Sequence, residues 1–79
     1  MKARAMTEDT LPFTLRKKRV TQEICFLVDP DDSYMIRVQI LRQKTASLIR
    51  THIIIRPDLE QWVNLYLDNG WTYKNDGRE

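Results

Sequence analysis

The stretch "LIRTHIIIRPDLEQW", residues 48–62, changes its hydrophobic period at a proline. Up to Arg56 the side chains alternate in steps of two, the period of a strand with two distinct faces. After Pro57 the apolar residues Leu59, Trp62, Val63 and Tyr66 recur at i, i+3, i+4 and i+7, a single stripe along a helix. Proline at the first helical position gives up no hydrogen bond, and Asp58 and Glu60 suit the positive end of the helix dipole. Asn69-Gly70 ends the helix: glycine accepts the left-handed cap, and Trp71 can fold back on the last turn near Tyr66. A strand that runs straight into an amphipathic helix needs a sheet face for that helix to cover.

The sheet is read from the upstream runs. "QEICFLV", 22–28, is apolar, β-branched and aromatic, as a strand requires. "SYMIRVQIL", 33–41, alternates, with Tyr34, Ile36, Val38 and Ile40 on one face and Met35, Arg37, Gln39 and Leu41 on the other. In the last strand Ile49, Thr51, Ile53 and Ile55 face one way, and Leu48, Arg50, His52, Ile54 and Arg56 the other. Between the first two runs "DPDD", 29–32, reads as a turn in which Pro30 fixes φ and the aspartates hold local backbone amides. Its carboxylates lack the glycine and the distal glutamate of a calcium-binding EF-hand loop. "RQKTAS" is a polar connection. Connections of four to six residues favour antiparallel hairpins.

Upstream, Pro12 in "LPF" suits a strand start or an edge. "TLRKKRV" reads as a charged edge strand or as a basic arm. The expected fold is α+β: an antiparallel β-meander of three or four strands followed by one C-terminal helix packed on one sheet face. The isoleucine row is expected under the helix, with Trp62 buried between the two. "TYKNDGRE" adds a short strand or trails off. Residues 14–74 form the expected single domain, flanked by flexible segments 1–13 and 75–79.

A chain of 79 residues has room for one modest core. It buries about 60% of the surface that its unfolded form exposes, so pairing with a second copy, as a homodimer, would help it. The single Cys25 excludes an internal disulfide and reads as a small buried hydrophobe in "ICFLV". "MKARAMTEDT" has no apolar core of a secretory signal, and no run reaches membrane-spanning length, so the expected setting is cytoplasmic with no membrane partner. One histidine, one cysteine, no Gly-rich phosphate loop and no metal-ligand spacing leave no catalytic or metal constellation. A non-enzymatic protein without cofactor is expected.

Charge is unevenly placed: residues 1–56 hold eleven Lys/Arg against six Asp/Glu, and residues 57–79 hold two against five. A basic sheet and an acidic helical end follow. With the helix on one sheet face, Arg37, Arg50, His52 and Arg56 would line the other, flanked by Arg16, Lys17, Lys18 and Arg19. Such a surface neutralises phosphates, so nucleic acid is the first expected partner.

The order strand–strand–strand–helix, together with "IIIRPDLEQWVNL" and its Glu60-Gln61-Trp62 triplet at the helix start, resembles the positive-cofactor (transcriptional coactivator) family of single-stranded-DNA-binding proteins. The resemblance spans roughly residues 24–67. It implies a four-stranded antiparallel sheet, a C-terminal helix that dimerises, and basic strands that hold unpaired DNA. Where that family has a glycine- and lysine-rich segment before the last strand, this chain has "RQKTAS". The alternative reading is a phage- or mobile-element-type protein that binds and inhibits a host protein. That partner would meet the same mixed face, with Leu48 and Ile54 as interface aliphatics beside the arginines.

Overall fold

In a computed structural model, residues 11–74 are described. They form a five-stranded antiparallel sheet and one helix: β1 Phe13–Arg16, β2 Gln22–Val28, β3 Met35–Arg42, β4 Leu48–Ile55, a 3₁₀ turn Arg56–Asp58, α1 Leu59–Asp68 and β5 Thr72–Tyr73. The sheet order is β4-β3-β2-β1-β5. Strands β1 to β4 make the expected α+β meander. The helix then carries the chain back across one sheet face, from β4 at one edge to β5 at the other. At about 1.5 Å per residue α1 is long enough to cover most of the roughly 19 Å between the outer strands.

Each element follows from its residues. β2 buries Ile24 and Phe26, and β3 buries Ile36 and Val38, in the alternation that their sequences dictate. The turn at 29–34 is built by aspartates: Asp29 Oδ1 accepts from the Asp31 amide at 3.2 Å, and Asp32 Oδ1 from the Tyr34 amide at 3.0 Å. Pro57 sits in the 3₁₀ turn that opens the helix. At the other end Gly70 adopts φ +96°, and the amides of Trp71 and Gly70 donate to the carbonyls of Tyr66 and Leu67. That is a Schellman cap with its apolar contact, since Trp71 packs edge-on against Tyr66 at 5.6 Å.

The core lies between α1 and the inner face of the sheet. Leu15, Phe26, Ile36, Val38 and Val63 are fully buried, with Ile24, Ile54 and Leu59 beside them. Phe26 stacks on Phe13 at 5.2 Å and meets Tyr66 edge-on at 6.2 Å. Three expectations are corrected here. β1 is not an edge, because β5 pairs with its outer side. Phe13 belongs to β1 and Leu11 packs against the core, so order begins ahead of residue 14; the rest of the expected N-terminal segment and the tail 75–79 lie outside the described residues. Trp62 is half-buried at the rim, while Leu59 and Val63 are the buried helix residues.

The largest correction concerns β4. β3 and β4 pair with Met35 opposite Ile55, Ile36 opposite Ile54, Val38 opposite His52 and Ile40 opposite Arg50, but Leu41 pairs with Leu48. The register therefore slips by one residue between Ile40 and Leu41, leaving Ile49 as the extra residue of a β-bulge. Cross-strand partners share a face. Ile54 and His52 thus join the core row of Ile36 and Val38, while Thr51, Ile53 and Ile55 join Arg37, Gln39 and Met35 on the uncovered face.

Replacing Phe26 by Ala should cost about 3–5 kcal/mol, enough to unfold a domain of this size. Trp62→Ala at the rim should lower the denaturant midpoint by distinctly less. Equal losses in the two variants, read by urea unfolding, would contradict this placement of the core.

Candidate functional site

Alternating strand directions sort the connections between two ends of the sheet. The β1–β2 connection, the β3–β4 connection and the C-terminus of α1 lie at one end. The β2–β3 turn and the start of α1 lie at the other. The first end carries Arg16, Lys17, Lys18 and Arg19 from one connection and Arg42 and Lys44 from the other. The second carries Asp29, Asp31, Asp32, Asp58 and Glu60 against Arg37 and Arg56, while Glu23 and Asp68 stand among the basic residues of the first. Charge is therefore segregated along the strands, end to end, and not between the two sheet faces.

The basic end is a built arrangement. Arg16 closes β1 opposite Glu23 and Thr72. The chain then turns through Lys17–Val20, with the Val20 amide on the Lys17 carbonyl at 3.2 Å and Arg19 in the left-handed region at φ 69°. Left-handed backbone at a non-glycine residue carries a cost of about 1–2 kcal/mol. The Gln43 amide donates to the Thr21 carbonyl at 2.7 Å, tying the β3–β4 connection to the β1–β2 connection. Between them lies a shallow depression of about 320 Å³, lined by Arg16, Lys17, Lys18, Arg19, Gln43 and Thr72. The Lys17 stem passes so close to Gly70 that a Cβ there would stand 3.3 Å from Lys17 Cε. This brings its ammonium to the negative end of the helix dipole.

The four residues expected to form one basic face are not brought together. Arg37 lies on the uncovered face, where its guanidinium donates to Asp29 Oδ1 at 2.9 Å. His52 lies on the helix side, half-buried, with its ring 6.0 Å from that of Trp62. Arg50, opposite Ile40 on the same side as His52, is exposed. Arg56 belongs to the 3₁₀ turn: its amide donates to the Tyr34 carbonyl at 2.9 Å and its guanidinium to the Ser33 carbonyl. Of the two interface aliphatics, Leu48 is 55% exposed, whereas Ile54 is a core residue and offers a partner nothing. By contrast, Arg16, Lys17, Lys18 and Arg19 do cluster. Arg42, Gln43 and Lys44 complete the cluster and were not expected; the signal was the parity of a meander, which sets its first and third connections side by side.

No protein-family model, curated protein or solved structure matches the chain. No helix among the described residues is long and apolar enough to cross a membrane.

One titration reports on the packing at this end. Burial of Tyr66 under the Trp71 fold-back raises the pKa of its hydroxyl above the ordinary value of 10.0. A raised folded-state value stabilises the fold below the unfolded-state pKa, and that contribution is lost as pH rises through the folded value. Unfolding midpoints should therefore fall as pH is raised above about 10. Tyr66→Phe should make that fall shallower. An identical alkaline slope in the variant would place Tyr66 in solvent.

Proposed function

We propose that this chain is a non-enzymatic binding protein whose basic loop end holds the phosphate backbone of a single-stranded nucleic acid. The observation that carries this reading is the convergence of two connections, distant in sequence, on one depression whose charged lining is basic. Like charges so placed repel one another, and an anionic strand relieves that repulsion while releasing its own counterions. The acidic far end repels a polyanion, so the field orients the protein with its loop end foremost. The likeness of the strand-to-helix junction to the coactivator family accords with this reading.

Fluorescence anisotropy of a labelled single-stranded oligonucleotide tests it. Affinity should fall steeply between about 50 and 300 mM salt, with the logarithmic slope reduced by about 0.7 for each phosphate contact removed. Lys18→Ala with Arg19→Ala should weaken binding to all sequences alike. Arg56→Ala, at the opposite end, should not change the salt slope. Binding that ignores salt, or none at low salt, would end the proposal.

A further inference from the structure

The basic end leaves one large feature unexplained. β4 is eight residues long, stands at the edge of the sheet and, among the described residues, is uncovered on its outer side. Leu48 is 55% exposed, Ile53 48% and Ile55 39%. Edge strands in natural sheets are usually short, charged, bulged or interrupted by proline, and the bulge of β4 lies at Ile49, ahead of Thr51–Ile55. The exposed row of this one is Leu48, Thr51, Ile53 and Ile55, and Pro57 comes only after the strand has ended.

The backbone points the same way. Arg56 N–H bonds to Tyr34 C=O, and the same register makes Ile54 and Ile36, and His52 and Val38, the closely bonded pairs. In an antiparallel ladder such pairs alternate with residues whose N–H and C=O are directed to the other side. Thr51, Ile53 and Ile55 therefore direct both backbone groups to the open edge while holding their side chains on the uncovered face. These three residues are a ready template for another strand.

We propose that the occupant is β4 of a second copy of this chain, paired antiparallel about a two-fold axis normal to the sheet. Charge selects this partner. Arg42 and Lys44 stand at one end of β4; at its other end stand Asp58, Glu60 and Arg56, whose guanidinium is bonded to the Ser33 carbonyl. Antiparallel pairing sets the basic end of each copy beside the acidic end of the other, twice over. Parallel pairing would set like charges together. The register is chosen by the same rule. Centring the pair on Ile53 puts Arg50 opposite Arg56 of the other copy, and centring it on Thr51 puts Arg50 opposite His52. Centring it on His52 puts Arg50 opposite Ile54, Thr51 opposite Ile53 and the half-buried His52 opposite its own copy, and sets no arginine against a basic residue. In that register the Lys44 connection of one copy comes level with the Glu60 helix turn of the other.

The product is a continuous ten-stranded sheet with both helices on one face. Its two Arg16–Arg19 clusters lie three strands from the new seam, whereas the β3–β4 connection with Arg42 and Lys44 borders it, so the Lys18→Ala, Arg19→Ala variant reads the loop end separately from pairing. An isologous contact of this kind closes after two copies and, among the described strands, leaves β5 at the outer edge of each half.

Sedimentation equilibrium of the full chain across the micromolar range reads the outcome. The expected mass is twice the 9.5 kDa of one chain. Lys44→Glu, at an exposed position, should weaken the dimer at least tenfold, and adding Glu60→Lys should restore it. Amide exchange gives a second readout that needs no variant: the amides of Thr51, Ile53 and Ile55 should be protected at high concentration and lose that protection on dilution, while those of His52 and Ile54 stay protected throughout. A monomer at every concentration overturns the proposal. So does a dimer that ignores both charge changes and leaves the odd-numbered amides of β4 exchanging freely.

Discussion

The faces of β4 and its open apolar edge depend on a one-residue slip in the pairing of β3 with β4. Continued without the slip, the Leu41–Leu48 pairing would set Ile40 opposite Ile49, Val38 opposite Thr51 and Ile36 opposite Ile53. The isoleucine row would then be the dry one. The bulge at Ile49 reverses the faces, because side chains alternate with a period of two and a shift of one exchanges them all. The diagonal course of α1 makes the reversal tolerable. The helix leaves from the lower end of β4 and rises away from it toward β5, so it seals Ile54, half-covers His52 with Trp62 and never reaches Arg50. Only Ile54 of the row on that side is buried, at 7% exposure. The isoleucines are left for the outside, where they form an apolar row along an open edge.

The topology of the meander sets the second property, the end-to-end charge separation. Asp29 and Asp32 of the 29–32 turn are engaged by local amides, and Asp29 also by Arg37; that end also receives the acidic first turn of the helix. The other end receives two basic connections and the helix C-terminus, whose partial negative charge Lys17 meets. A molecule built this way is polarised along its strands. An anionic ligand at one end and an antiparallel copy along one side are both natural partners for it.

The order of elements was legible in the sequence. The period change at Pro57, the aspartate turn and the Asn69-Gly70 stop with its Trp71 fold-back each rest on local chemistry, and each appears in the structure. So did the inward rows of β2 and β3, where only one face is consistently apolar. The side of β4 was not legible. Both of its rows contain isoleucine, Ile53 in one and Ile54 in the other, and the choice between them is made by a bulge in the hairpin that precedes it. Nothing in "RQKTAS" advertises that bulge, and Ala46, held there at φ 59°, is not a residue that marks left-handed backbone. The basic face inferred from Arg37, Arg50, His52 and Arg56 failed for the same reason. The "RKKR" cluster survived because loop charges do not depend on register.

The most direct test is therefore the face of β4, read from proton–proton contacts in solution by NMR. With the register described here, the His52 ring protons show cross-peaks to the Trp62 indole, and the methyls of Ile53 and Ile55 show none to any residue of α1. Cross-peaks from Ile53 or Ile55 to α1, with His52 silent, would return the isoleucine row to the core and remove the basis for both the exposed edge and the account of this fold.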